Sequence, residues 1–147
     1  MDREMCTAAI LAAKQAKGLT FVEIAAAVGR HEVWVTSAIL GQAAMDAGEA
    51  GKLCGLLELG DEVAAALAEW PMRGSLDAAV PTDPLIYRFH EITQVYGTTI
   101  KALIHEKFGD GIMSAIDFHM SIERIADPKG DRVQVTYNGK FLPYRKW

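Results

Sequence analysis

The sequence predicts an α+β protein, with a helical N-terminal half and a C-terminal half that moves from helix into a small antiparallel sheet. Three observations predict it. Apolar residues recur at helical spacing from about residue 2 to residue 69, punctuated by single glycines. The stretch WPMRGSLDAAVPTDP, residues 70 to 84, holds three prolines and a glycine and divides the chain. Beyond residue 115 the apolar period falls to two. At 147 residues there is room for one ordinary domain or two small ones, and the division expected is 1–75 and 76–147.

The first helix is expected from about Asp2 to Lys17, stopped by Gly18. Thr20 and Glu23 form a T-x-x-E capping box that opens a short alanine-rich helix ending at Gly29. His31 to Leu40 reads as a third helix, closed by Gly41, and two more fit 48–59 and 61–69 on either side of Gly60. The capping box, the turn glycine and the following helix resemble a helix-turn-helix. In the second half, Asp83-Pro84 is an N-cap acceptor followed by proline at the first helical position. Leu85, Phe89, Ile92 and Tyr96 follow at helical spacing. Gly97 is expected to interrupt, Thr98 to cap a second helix through Phe108, and Gly109-Asp110-Gly111 to end it. Ile116, Phe118, Met120 and Ile122 then alternate with polar residues, Asp127 to Asp131 reverses the chain, and Val133, Val135 and Tyr137 alternate again. Asn138-Gly139 reads as a tight hairpin turn. Two or three strands of this size are marginal alone and need the helices or another subunit as cover.

Composition excludes several functions. Half the residues are hydrophobic and 23% are charged, which fits a folded soluble chain. No apolar run reaches eighteen residues, so no membrane span is expected. MDREMCTAAILAAKQAKG reads as helix rather than signal peptide. Cys6 and Cys54 lack metal-ligand spacing, which points to a reducing, cytoplasmic setting. Residues 1 to 80 carry 6 Lys/Arg against 11 Asp/Glu, net −5, while residues 81 to 147 carry 9 against 8, net +1. The helix-turn-helix offers His31, Glu32, Trp34, Thr36 and Ser37 behind Arg30. An acidic module without base-reading side chains fits packing or oligomerisation better than DNA.

The histidines are scattered, and neither H-x-x-x-H nor H-E-x-x-H occurs. Ser114 in GIMSA lacks the second glycine of a nucleophile elbow, and strand alternation would put it on the face opposite His119. Arg88 and Glu91 are three residues apart on one helical face, beside the apolar stripe. Such a pair is usually a solvated ion pair. Beside an apolar seam, an arginine can instead be covered by another subunit and kept for an anion. Residue physics thus reaches an oligomeric α+β protein with a candidate anion site. A non-catalytic anion-binding oligomer and a helix-turn-helix DNA-binding regulator both stay open as alternatives.

PTDPLIYRFHE, QVYGTTIKALIHEKFGDGIMSAIDF and NGKFLPY, with GLTFVEIAAAVGRHEVWVTSAILGQ and PMRG upstream, strongly resemble the cyanase (cyanate hydratase, cyanate lyase) family. The likeness runs through nearly the whole chain in the family's order, with one departure: His90 stands where the family is usually aromatic. The resemblance implies a catalytic trio of Arg88, Glu91 and Ser114. It implies a λ-repressor-like N-terminal domain not used on nucleic acid, and a C-terminal catalytic and oligomerisation domain whose sheet is interlaced between two subunits. It further implies a homodecamer, a pentamer of dimers, with active sites between subunits and neither metal nor organic cofactor. The implied reaction joins bicarbonate, as a substrate, to cyanate, giving carbon dioxide and carbamate, which breaks down to ammonia and a second carbon dioxide.

Overall fold

The structure is a computed structural model and describes residues 1–74 and 79–147; the part of the expected linker at 75–78 lies outside the described residues. Among the described residues it has helices α1 (Arg3–Ala16), α2 (Phe21–Val28), α3 (Glu32–Ile39), α4 (Ala47–Leu57), α5 (Asp61–Ala68) and α6 (Pro84–Phe108), then strands β1 (Gly111–Ile125) and β2 (Arg132–Pro143). The chain forms two compact units, Met1–Ser75 and Leu76–Trp147.

In the first unit α1 to α4 each start where a side chain accepts from an orphan amide, while α5 starts at Gly60 with no side-chain cap. The Asp2 carboxylate accepts from the Met5 amide, and Thr20 and Glu23 form the expected capping box. Asp46 and Glu49 form a second capping box at the head of α4. That box went unread in the sequence, because D-A-G-E lacks the usual Ser or Thr. Gly29 closes α2 in the left-handed region, with φ 84°. Ile10, Ile24, Val35, Ile39, Leu53, Val63 and Leu67 pack as a fully buried core drawn from all five helices. Arg3 binds the ends of these helices together: Nη1 donates to the Ala66 carbonyl and Nη2 to those of Ala38 and Ala43, each at 2.8 Å. These acceptors lie at or just past helix C-termini, where carbonyls lack intrahelical partners. Glu49, 8% exposed, also pairs with Arg30, whose guanidinium lies over the Trp34 ring.

The second unit departs from expectation in three places. Gly97 does not break the helix; α6 runs 25 residues without interruption, about 37 Å. A mid-helix glycine costs only about 1 kcal/mol relative to alanine, less than the ladder of hydrogen bonds around it sustains. Asn138-Gly139 is not a hairpin turn. Both residues sit within β2, Asn138 opposite His119 and Gly139 opposite Phe118, and the chain reverses instead between Ile125 and Arg132. There the Asp127 carboxylate accepts from the Lys129 amide and Gly130 adopts φ 118°. The sheet has two strands, and its ladder is broken by a bulge: between Met113 and Phe118 the register shifts, so that Ser114 to Asp117 stand against Lys140 alone. Regular pairing, which runs from Gly111 to Met113, therefore resumes only at Phe118, and Ile116, expected on the Phe118–Met120–Ile122 face, lies in the bulge at 99% exposure. No residue of α6 is buried.

Candidate active site

The Asp83 carboxylate accepts from the amides of Leu85 and Ile86 at 2.9 and 3.0 Å, and Pro84 supplies the preset φ of the first helical position. This fixes the start of α6, and Arg88 and Glu91 follow on its second turn. Arg88 Nη1 donates to Glu91 Oε2, with the side chains 65% and 39% exposed. As a contribution to stability, so exposed a pair counts for little, under about 1 kcal/mol. Its effect is on aim. The carboxylate takes one of the five N–H groups of the guanidinium and leaves the rest of a planar, doubly donating face for an oxyanion. His90, between them, lies 6.0 Å ring to ring from Tyr87 and 3.4 Å from the amide nitrogen of Gln94.

Ser114 is different in kind. It is 5% exposed at the first position of the β1 bulge, and its Oγ accepts from the amides of Ile116 at 3.0 Å and Asp117 at 2.9 Å. Those two bonds occupy the two lone pairs of the hydroxyl. Its remaining capacity is one O–H donor, polarised by the two amides behind it, which suits an anionic oxygen and not a nucleophilic attack. The sequence argument from alternation does not carry through this segment, because the bulge breaks the period between Ser114 and His119.

The structure brings Arg88 and Glu91 together and leaves Ser114 apart, with no hydrogen bond from it to either. Twenty helical residues from Arg88 to Phe108 span about 30 Å. Six further residues reach at most about 21 Å. Within one chain the Arg88 and Ser114 Cα atoms therefore stay at least about 9 Å apart. Other features fall outside this constellation. An open depression of about 470 Å³ near the β-hairpin end is lined by Ile122, Glu123, Arg124, Asp131, Arg132 and Val133, and Arg124 is already paired with Asp131 there. Among the described residues no three His, Cys, Asp or Glu side chains gather as a metal site, and no helix is long and apolar enough to cross a membrane. Burial pushes the Cys6 and Cys54 thiols up, and both belong to the first unit's core.

Comparison with known proteins covers both units. Residues 3–71 match the family model "Cyanate hydratase, N-terminal" and residues 78–146 match "Cyanate lyase C-terminal domain". A cyanate hydratase of Parasynechococcus marenigrum (strain WH8102) is 57% identical over 141 residues, 96% of each chain. One of Thiobacillus denitrificans (strain ATCC 25259 / T1) is 53% identical over 147 residues, the whole of both chains. Among solved structures, a crystal structure of cyanase from T. urticae superposes with a TM-score of 0.85 at 40% identity, covering 94% of this chain and 96% of that one.

Proposed function

The chain belongs to the cyanate hydratase (cyanate lyase) family, and from that premise we propose that it decomposes cyanate with bicarbonate as co-substrate. Identity above half over the full length of curated cyanate hydratases carries this reading. The site consists of Arg88, Glu91 and Ser114, supported by the guanidinium–carboxylate pair on α6 and by the one-donor hydroxyl of the bulge.

Two monoanions must meet at bonding distance. At ~3.5 Å and an effective dielectric near 20 they repel by about 5 kcal/mol. The Arg88 guanidinium offsets this repulsion and fixes planar oxyanions through paired donors, while Ser114 gives its proton as a hydrogen bond to oxygen on which charge accumulates. A bicarbonate oxygen attacks the cyanate carbon and the cyanate nitrogen takes up a proton. The bond between that oxygen and the bicarbonate carbon then breaks. Bicarbonate, cyanate and one proton become carbon dioxide and carbamate; carbamate with a second proton gives ammonia and carbon dioxide. Glu91 holds Arg88 in line and takes part in delivering the first proton. Beside two anions a bare carboxylate is unfavourable, so Glu91 works paired to arginine or protonated. Charge compensation comes from side chains, and the reading uses no metal or organic cofactor.

The apolar residues of α6 and the bulge left open in one chain support an assembly of dimers, up to the decamer, with sites drawn from more than one subunit. Nucleic acid is no partner in this reading, since Arg30 is engaged by Glu49 and Trp34 and the first half is acidic. A cytoplasmic setting is supported by two buried free thiols. The experiment is ammonia and carbon dioxide release from cyanate in carbonate-free buffer, before and after adding labelled bicarbonate. Turnover should require bicarbonate, and half of the carbon dioxide should carry its label. Full turnover without bicarbonate would overturn the reading in favour of attack by water. Reassembling Arg88→Leu with Ser114→Ala chains should restore part of the activity if some sites take the two residues from different chains.

A further inference from the structure

We propose that Gly139 is a positioning residue that holds the Ser114 hydroxyl in its donating state; the inference rests on the reading of Ser114 given above. The β1 bulge presses four residues against one on β2, and Gly139 lies beside it, opposite Phe118. A Cβ built on Gly139 would collide with the backbone carbonyl oxygen of Ser114 itself and would lie 2.6 Å from Met113 Cγ. Met113 is a flexible side chain and can turn away, but a carbonyl moves only with its strand. The missing side chain at 139 is therefore the space into which the Ser114 peptide fits. That same peptide sets where Oγ meets the amides of Ile116 and Asp117. If the carbonyl is pushed out, Oγ leaves those amides, its lone pairs reopen, and the hydroxyl is no longer confined to donating. By contrast, a Cβ on Gly97 in α6 would meet only the Thr93 methyl at 4.0 Å, an ordinary contact. Glycine at 139 is thus required by a close backbone approach at the site.

The test is a double-mutant cycle on the assembled protein. Gly139→Ala, Ser114→Ala and the double variant are compared for kcat and KM on cyanate, for sedimentation, and for amide exchange at Ile116 and Asp117. Gly139→Ala should assemble as the wild type does, expose those two amides to exchange, and lose tenfold or more in kcat. The double variant should be no slower than Ser114→Ala alone. Gly139→Ala with wild-type kcat and wild-type protection at both amides overturns the inference. So does a double variant whose loss is the product of the two single losses, because it shows that Gly139 does not act through Ser114. Wild-type turnover in Ser114→Ala would instead remove Ser114 from the site, with amide exchange still deciding what Gly139 does to the bulge.

Discussion

The two units of this chain solve the problem of burial in opposite ways. The first closes on itself: every buried hydrophobic side chain among the described residues belongs to it, and most of its helix starts carry a side-chain cap while Arg3 binds carbonyls at helix ends. The second has one long helix with no buried residue and a two-stranded sheet, with Leu85, Val95, Tyr96 and Ile116 open to solvent in the single chain. A two-stranded ribbon of this sort is marginal on its own in water. The candidate catalytic residues lie on this incomplete unit. Under the proposed assembly, residues that act at a site shared between chains belong on the surface that chains share, and a unit already closed has none to offer.

The largest expected effect separates chemistry from cover within the second unit. Arg88→Leu should lower turnover at least about a thousandfold, since it removes the charge that offsets roughly 5 kcal/mol of anion repulsion. Sedimentation and thermal unfolding should stay as in the wild type. Arg88→Lys keeps the charge but not the planar fork, and near-normal turnover in that variant would show that a point charge suffices. Next comes the first unit's core. Leu53→Ala, at a fully buried position, should cost about 2–5 kcal/mol in urea unfolding of that unit while leaving assembly size unchanged. Ile116→Asp inverts this pattern. In one chain its side chain touches solvent almost everywhere, so an isolated subunit would not register the change; a fall in assembly on dilution would show that another chain covers the bulge. Thr20→Ala should cost about 1 kcal/mol through the loss of the α2 capping box, read in the same urea transitions. The smallest effect concerns pH. Cys6 and Cys54 have thiol pKa values raised by burial above 9.0, so the folded state keeps these protons longer than the unfolded chain. Their contribution is fully present below about pH 9 and is lost as pH rises through the folded values. The first unit should therefore lose stability in alkali, and serine at both positions should flatten that slope.

What was legible in the sequence follows the same division. The helices of the first unit could be read closely because their signals are local: Thr20 with Glu23, Gly29 at a left-handed position, and apolar spacing that matches the observed core. In the second unit Asp83-Pro84 and the Asp127 to Asp131 turn could be read correctly, but two other local signals misled. Gly97 and Asn138-Gly139 carry a breaker and a turn signature, yet one lies in a continuous helix and the other within a strand. Their conformations are set by ladders of neighbouring hydrogen bonds that outweigh a preference of about 1 kcal/mol. Arg88 and Glu91 could be located as a pair, because i and i+3 share a helical face. The state of Ser114 could not be read at all, since it depends on a bulge whose register is chosen by the opposite strand.

An uncovered α6 also has a consequence for biogenesis. Ribosomes add about 5–20 residues per second, so the helical first unit is complete several seconds before the last strand leaves the tunnel. That unit can fold at once, from contacts within itself. In the proposed assembly the 25 residues of α6 must wait for a second molecule, an encounter whose rate depends on how much of the protein the cell has already made. Low expression should therefore lengthen the time for which the nascent chain displays an oily helix to chaperones and proteases. Abundance of this protein should rise more steeply than its message.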